Sequence, residues 1–430
     1  MIKFENKKIE EKYYVEVLNN GLSVYLYPKN DYYRTYAIFS TKYGAMDLEF
    51  IPNGSDEFVN TPEGVAHFLE HKLFENEDHT DVSSIFASLG AEANAFTTAE
   101  RTAYLFSTTS NVKECVELLL DFVQNPYFKK EGIDSERGII EQELLMYLDT
   151  PDNVLYYGIL KCLYKNCLIR NELGGTVESI KEIDEDVLYQ CYNTFYHPSN
   201  MSLAIVGKFD LEEMITLIKE NQSKKFFDPI REIKTKYIEE PNEVYEKMSY
   251  TNMEVTQPKI AIGLKINDAF ENSYEMTKKG FALDILLDIY FDNASDIYDD
   301  LKKRKIINYS FGYETYFEKQ YRHVLFTLDT DEPEVFQEEL TKIIDQIRYQ
   351  VVDEQKFKTI KKLVQALLIK KYNSLEYLGN VITNLHSDNL TLFDGLEILE
   401  EITIDDVNEV KKYFDSNNLA TFIIYPNNNK

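Results

Sequence analysis

Residues 64–74 read Gly64-Val65-Ala66-His67-Phe68-Leu69-Glu70-His71-Lys72-Leu73-Phe74. If this stretch is helical, His67 and His71 lie one turn apart on one face, and Glu70 projects from nearly the same side. Two imidazoles that converge on one point beside a carboxylate are typical of a metal site at which a general base acts on water. The other residues are mostly apolar, so we expect this polar trio, His67, Glu70 and His71, to lie in a largely dry wall.

A catalytic zinc ion usually has three protein ligands, of which the trio supplies two. Further along the chain, Glu136 and Glu143 stand seven residues apart, which places them two turns apart on one face of a predicted helix. Glu141 lies about 200° around that helix from Glu143, so these two side chains cannot both face a site. From spacing alone, Glu136 and Glu143 fit a metal site and a solvated acidic helix face equally well.

Four other histidines are weaker candidates for a ligand. They lie in a polar connection, in a turn before a proline, or in the part of the chain without the trio, and they are His79, His197, His323 and His386. An accidental trio in a core helix is also disfavoured. Three polar residues on one face of an apolar helix are costly to bury unless a metal compensates.

Composition and charge exclude several classes of protein. The 430 residues are 44% hydrophobic and contain only 16 glycines, which favours a helix-rich mixed fold with two or three domains. The formal net charge is −28, so nucleic acid and anionic membrane surfaces are poor partners. This charge suits cationic peptides, but a solvated acidic surface explains it as well.

Sequence features predict a cytoplasmic protein. The N-terminal residues show no apolar segment of a secretory signal, and no run approaches the roughly 18 apolar residues of a membrane span. The cysteines show no C-x-x-C spacing, so we expect them to be reduced and buried; they are Cys115, Cys162, Cys167 and Cys191.

Local patterns predict both helices and strands. A hairpin is expected over residues 13–27, and strands are expected at residues 35–44, 94–107 and 201–206. The helix of the trio is predicted to start at Thr61-Pro62, with Thr61 as its N-cap. Further helices are predicted at residues 82–89, 112–123, 131–147, 153–163 and 184–195.

Two pairs of segments indicate an internal repeat. Residues 195–206 align with residues 413–424 at an offset of 218, and residues 83–89 align with residues 295–301 at an offset of 212. The matches have the same order and similar offsets, so they predict two copies of one α+β unit of about 200 residues. The second copy has no counterpart of the trio.

The boundary between the two copies is predicted in a charged segment, residues 224–243. It carries two prolines and little aliphatic periodicity, as a linker does. We therefore expect an N-terminal catalytic half at residues 1–223 and a C-terminal half without a zinc site at residues 244–430.

The order H-x-x-E-H is the inverzincin signature. With its surroundings, the chain resembles the insulinase/pitrilysin family of zinc peptidases, in particular the bacterial processing-peptidase-like members built from two halves. The matching segments cover nearly the whole chain: residues 64–71, 93–97, 136–151, 175–180, 196–201 and 206–207.

The resemblance implies a zinc site in the N-terminal half. It implies His67, His71 and Glu143 as the ligands of one zinc ion per chain. It also implies Glu70 as the general base that accepts a proton from water, and Glu136 as a carboxylate behind the ligands.

The resemblance further implies two regions that hold substrate. Asn94, Ala95 and Phe96 belong to an edge strand to which a peptide adds as an extra strand, so broad specificity for extended peptides is expected. In active family members the second half supplies an arginine and a tyrosine seven residues apart. Tyr309 matches the tyrosine, whereas Lys302 stands at the arginine position. Lysine does not reproduce the bidentate bonding of arginine, so we expect a weaker contribution.

The implied fold is α+β, with two homologous halves, each a mainly antiparallel sheet covered by helices, that face each other across a peptide chamber. Family enzymes of this size close the chamber with a second chain, which is either another copy or a homologous chain without zinc ligands. Lys302 slightly favours the separate partner. The expected function is a zinc endopeptidase for extended peptides or small unfolded proteins. The alternative is a non-catalytic scaffold or assembly subunit, but a scaffold needs no general base.

Overall fold

The computed structural model describes residues 1–77, 80–229, 231–385 and 390–427. The fold is α+β, as predicted, and it divides into two compact units that are each discontinuous in sequence. Unit 1 comprises Met1–Leu144, Glu172–Tyr237 and Ile369–Phe393, and unit 2 comprises Leu145–Asn171, Ile238–Leu368 and Asp394–Lys430. Each unit therefore contains segments from both halves of the chain.

Strands and helices are numbered along the described residues. The strands are β1 (Ile2–Asn6), β2 (Glu11–Val17), β3 (Ser23–Pro28), β4 (Thr35–Thr41), β5 (Glu49–Phe50), β6 (Val59–Asn60), β7 (Ala91–Thr97), β8 (Thr102–Thr108), β9 (Met201–Gly207), β10 (Met248–Met253), β11 (Lys259–Lys265), β12 (Gly312–Phe317), β13 (Arg322–Asp329) and β14 (Leu419–Pro426). The helices are α1 (Val65–Lys72), α2 (Val82–Ser88), α3 (Val112–Val123), α4 (Lys130–Leu148), α5 (Pro151–Leu163), α6 (Glu185–Phe195), α7 (Leu211–Ser223), α8 (Ser273–Phe291), α9 (Asp296–Lys303), α10 (Pro333–Ile347), α11 (Glu354–Lys371), α12 (Leu375–Leu385), α13 (Asp394–Glu401) and α14 (Ile404–Val410).

The main sheet of unit 1 has the strand order β1-β2-β3-β9-β4-β8-β7, and it is antiparallel except where β3 runs parallel to β9. Every residue of β4 and β9 is buried. Because side chains alternate between the two faces of a strand, both faces of the sheet centre are covered. Helix α12 packs on β4 and β9, while α3 packs on β4 and β8 and α1 packs on β7 and β8.

Helix α12 belongs to the second half of the chain but completes the core of unit 1. Gly379 lies so close to the sheet that a Cβ atom there would stand 2.7 Å from Tyr36 Cε1. Beside this contact, Asn380 Nδ2 donates to the hydroxyl of Tyr36 at 3.0 Å. Arg101 donates to Thr383 Oγ1 at 3.0 Å. The helix is therefore fixed by close packing and by side-chain hydrogen bonds.

Unit 2 has a smaller sheet with the strand order β10-β14-β11-β13-β12. Strand β10 runs parallel to β14, and the other pairs are antiparallel. Helix α5, from the first half of the chain, packs on β11 and β14. Its Gly158 meets the ring of Phe422, since a Cβ atom there would lie 2.3 Å from Phe422 Cε1.

The strand orders confirm the predicted duplication. The series β3-β9-β4-β8-β7 in unit 1 has the same directions and connections as β10-β14-β11-β13-β12 in unit 2. The aligned segments fall at equivalent places, because β9 corresponds to β14 and α2 corresponds to α9. In chain order, helix α8 lies between β11 and β12, as α1 lies between β4 and β7. The two helices therefore occupy equivalent places in the repeat.

Two local predictions were wrong. Residues 94–107 form a hairpin of β7 and β8 rather than one strand, because the Thr98 N–H donates to the Arg101 carbonyl at 2.8 Å and closes a turn. Thr61 does not cap the helix of the trio, since its hydroxyl donates to the Leu48 carbonyl at 3.1 Å. Helix α1 begins instead after Gly64, which adopts a left-handed conformation with φ of 86°.

Two other expectations, the first hairpin and the state of the cysteines, were confirmed. The hairpin predicted over residues 13–27 is formed by β2 and β3, and the four cysteines are free and buried. Among the described residues, no helix is long and apolar enough to cross a lipid bilayer. Part of the predicted linker pairs with the short strand β5, where the Lys236 N–H donates to the Glu49 carbonyl at 2.8 Å.

Candidate metal centre

Helix α1 presents the polar trio from an otherwise buried helix in unit 1. Phe68 and Leu69 are completely buried against the rest of the unit, and this packing fixes the helix rotation. At the start of the helix, Gly64 touches the backbone of Gly174, because a Cβ atom on Gly64 would lie 2.1 Å from the Gly174 carbonyl oxygen. Only glycine allows this approach, so the loop that carries Gly174 and Gly175 is held against the first turn of α1.

His67, His71 and Glu143 form one cluster. Among the residues that the structure describes, they are the group able to hold a metal ion, with one ligand atom from each within 4.8 Å of the others. Glu143 Oε2 lies 3.9 Å from His67 Nε2 and 3.7 Å from His71 Nε2. Ligand atoms at 2.0–2.2 Å from a common zinc ion stand about 3–4 Å apart. Both separations from Glu143 fit that range, and the donor set of two imidazoles and one carboxylate is a known catalytic zinc set.

Glu136 lies behind this cluster. Its Oε1 is 2.9 Å from His71 Nδ1, and this contact directs Nε2 of the same ring towards Glu143. Burial lowers the pKa of His71, but the hydrogen bond and the charge of Glu136 outweigh burial and hold the pKa above its usual value. This is the arrangement in which a carboxylate orients a metal-binding histidine.

His67 lies in a drier environment than His71. Burial, and then the charge of His71, lower the pKa of His67 to about 4. A neutral imidazole with a free electron pair is the form that binds a metal. Within the described residues, His67 Nδ1 is buried without a hydrogen-bond partner.

Glu70 is close to the cluster, but its carboxylate is hydrogen-bonded to a residue outside the cluster. Its side chain is 8% exposed, and its Oε2 accepts a hydrogen bond from Thr97 Oγ1 at 2.6 Å. Burial raises the pKa of Glu70, against the opposing effects of Thr97 and His71. A carboxylate with a raised pKa beside a metal cluster is suited to exchange protons with water.

The predicted substrate strand is an edge of the unit 1 sheet. Strand β7 carries Asn94, Ala95 and Phe96, and within the described part of the chain it pairs with β8 alone. Asn94 is exposed, and Phe96 packs against the guanidinium of Arg101 at 5.1 Å. Strand β7 thus ends, at Thr97, beside Glu70.

Lys302 and Tyr309 belong to unit 2. Lys302 lies on α9, with its ammonium group 5.6 Å from the ring centre of Tyr298. Tyr309 follows this helix and is 98% exposed. It lines a cavity of about 470 Å³ together with Lys259 and Asp329.

Two of the other histidines have structural contacts. Nδ1 of His197 contacts Ser199 at the start of a short turn, as predicted. His323 is fully buried and bonds to the hydroxyl of Tyr164 at 2.9 Å. His79 and His386 lie outside the described residues.

Comparison with protein families gives two matches along the chain. Residues 50–177 match the insulinase model, peptidase family M16, and residues 182–364 match the model of the M16 inactive domain. The uncharacterized zinc protease YmfH of Bacillus subtilis (strain 168) is 41% identical over 411 residues, which cover 95% of this chain and 96% of that protein. The chain belongs to the insulinase family.

Two solved structures have the same fold. An M16-like peptidase from Alicyclobacillus acidocaldarius superimposes with a TM-score of 0.93 at 31% identity, over 99% of this chain and all of that chain. A protease from Helicobacter pylori superimposes with a TM-score of 0.82 at 20% identity, over 97% and 100% of the two chains. The second likeness concerns the fold alone.

Two features of this insulinase-family site were not assigned from the sequence. Thr97 was included in a matching segment but received no role, since its bond to Glu70 joins residues far apart in sequence. Gly174 was also overlooked. The doubled glycine at residues 174–175, in a chain with only 16 glycines, was a signal of close backbone approach.

Proposed function

We propose that this chain is a zinc-dependent endopeptidase that hydrolyses extended peptides or small unfolded proteins. The observation that carries the proposal is the convergence of His67, His71 and Glu143 next to Glu70 in unit 1. The set contains a complete ligand group and a separate carboxylate. The insulinase-family membership and the relative named as a zinc protease support the same activity.

Each side chain of the centre has a distinct task in this proposal. His67, His71 and Glu143 hold one zinc ion, which supplies Lewis acidity that polarises a peptide carbonyl and lowers the pKa of water towards about 7. Glu70 accepts the proton that water loses during attack and gives it to the departing amine. Glu136 keeps the ring of His71 in orientation through Nδ1.

Substrate binding is proposed at the open edge of β7. A peptide in extended conformation adds alongside Asn94, Ala95 and Phe96 through backbone hydrogen bonds to β7, which recognise the chain more than its side chains. The net charge of −28 favours cationic peptides over acidic ones. Tyr309 and Lys302 are proposed as further substrate contacts.

A second chain is part of the proposal. We propose that the active form is a dimer that encloses a peptide chamber, with either a second copy or a homologous chain without zinc ligands. Lys302 in place of arginine favours the second kind of partner. The cytoplasm remains the proposed location. A scaffold or assembly role is the alternative function, and it predicts no peptide cleavage.

The test is a comparison of the wild-type chain with Glu70→Gln. The amide keeps the size of the side chain but cannot accept the proton. We expect Glu70→Gln to retain zinc and to lower kcat for an extended peptide by at least about 10²-fold, within the range of general-base effects. Glu141→Gln, on helix α4 and outside the cluster, is the control and should cleave at the wild-type rate. Undiminished cleavage by Glu70→Gln, or no cleavage by the zinc-loaded wild type either alone or with a homologous partner chain, contradicts the proposal.

A further inference from the structure

The hydroxyl of Thr97 makes a short bond to the carboxylate of the proposed base. Thr97 is the last residue of β7, and its Oγ1 lies 2.6 Å from Glu70 Oε2. Bonds of this length are typical of a hydroxyl that donates to a charged carboxylate, and they are stronger than bonds between neutral groups.

The surrounding hydroxyls establish the direction of this bond. Thr97 Oγ1 is also 3.4 Å from Thr102 Oγ1. Thr102 donates its own proton to the Tyr43 carbonyl at 2.9 Å. A hydroxyl has one proton to donate, and for Thr97 the carboxylate of Glu70 is both the closer and the charged acceptor. Thr97 therefore donates to Glu70.

The bond restricts a side chain that has several rotatable torsions. Glu70 is 8% exposed and emerges from a helix whose neighbouring Leu69 is completely buried. With Oε2 held by Thr97, the side-chain torsions of Glu70 are restricted, and Oε1 is the carboxylate oxygen that this bond does not use. A base that is restrained in this way has less conformational freedom to lose when substrate arrives.

We propose that Thr97 is a positioning residue for Glu70, a role that rests on the proposed peptidase function. Thr97 ties the proposed base to the end of the strand on which the peptide is proposed to add. The substrate backbone and the base are then aligned by one element, β7, which fixes the position of the scissile bond relative to Glu70.

A purely structural role makes a different prediction. If Thr97 only satisfies a buried carboxylate, its removal lowers the free energy of unfolding and leaves the turnover of the folded enzyme unchanged. If Thr97 positions the base, its removal lowers kcat at constant zinc content and leaves KM nearly constant, because peptide binding does not use the hydroxyl.

The experiment uses the full-length, zinc-loaded chain and three variants. Thr97→Val removes the hydroxyl at nearly constant volume, and Thr97→Ser restores a hydroxyl at the same place. Ser107→Ala removes a hydroxyl from β8 in the same sheet, away from Glu70, and is the matched control. For each variant, zinc content, melting temperature, kcat and KM are measured with one fluorogenic extended peptide.

We expect Thr97→Val to keep its zinc and to lose about 10- to 100-fold in kcat, with KM changed less than about twofold. Thr97→Ser is expected to recover most of that loss, and Ser107→Ala to match the wild type. Wild-type kcat in Thr97→Val, or a loss that Thr97→Ser does not recover, overturns the positioning role alone. A zinc-loaded wild type that cleaves no peptide, either alone or with a homologous partner chain, overturns the proposed function itself.

Discussion

His71 uses its two ring nitrogens for different contacts. Nε2 lies 3.7 Å from Glu143 Oε2, whereas Nδ1 is 2.9 Å from Glu136 Oε1. Because a bond at one ring nitrogen fixes the tautomer and orientation of the other, Glu136 prepares His71 as a ligand without belonging to the ligand set.

This contact leads to a prediction for Glu136→Ala. Loss of the carboxylate leaves the ring of His71 without its acceptor, so zinc affinity should fall by about 10- to 100-fold. Competition with a chromophoric chelator measures the affinity. Glu141→Gln, on the same helix but outside the cluster, should bind zinc as the wild type does. Equal affinity in Glu136→Ala would exclude the orienting role.

At the residue scale, local spacing was enough to predict that His67, Glu70 and His71 share one helix face. A regular helix fixes the relative directions of residues three and four apart. Spacing left Glu136 and Glu143 undecided, and only the family resemblance assigned them. Thr97 received no role, because its bond to Glu70 spans 27 residues and depends on how β7 meets α1.

At the element scale, the turn after β7 determines which backbone groups face the open edge. The backbone hydrogen bond from Thr98 to Arg101 closes the turn. From there, the facing residue pairs of β7 and β8 alternate between hydrogen-bonded and non-hydrogen-bonded pairs. Phe96 is therefore in a bonded pair with β8. Ala95 is in a non-bonded pair, so its N–H and carbonyl point towards the open edge, where the N–H donates to Asn94 Oδ1 at 2.9 Å.

This alternation leads to a prediction for proline substitutions. Ala95→Pro removes an N–H that β8 does not use, so the fold should persist while KM for an extended peptide rises several-fold. Phe96→Pro removes a bond within the sheet and should lower the melting temperature substantially. Kinetic assays and thermal unfolding distinguish the two variants. An unchanged KM in Ala95→Pro would argue against peptide addition at β7.

Element positions were predicted well where the hydrophobic pattern was regular, as in α3 and β9. The turn at residues 98–101 contains neither glycine nor proline, so residues 94–107 looked like one strand. The start of α1 was misplaced because Thr61 resembles an N-cap locally. Its hydroxyl is used instead by the Leu48 carbonyl, a contact that depends on tertiary structure.

At the scale of the whole molecule, the duplication was predictable from the sequence. It was not predictable that each half of the chain contributes a helix to the core of the other unit. Helix α5 completes the core of unit 2, and α12 completes the core of unit 1. The signal was present in two helical glycines, Gly158 and Gly379, each of which meets an aromatic ring of a sheet. Sequence alone does not indicate which sheet a helix covers, because both sheets offer similar apolar faces.

The duplication also limits the number of metal sites. Helix α8 stands in unit 2 where α1 stands in unit 1, and its sequence contains no histidine. Among the described residues, the metal-binding cluster lies in unit 1. We therefore predict one zinc ion per chain rather than one for each copy of the repeat.

The most direct test of the metal centre is the zinc-to-protein ratio of the purified chain, measured by elemental mass spectrometry after removal of loosely bound metal. We predict about one zinc per chain for the wild type and for Glu141→Gln, and much less than one for Glu143→Gln, which removes a charged ligand. A zinc-free wild type, two zinc ions per chain, or full retention of zinc by Glu143→Gln would contradict the account.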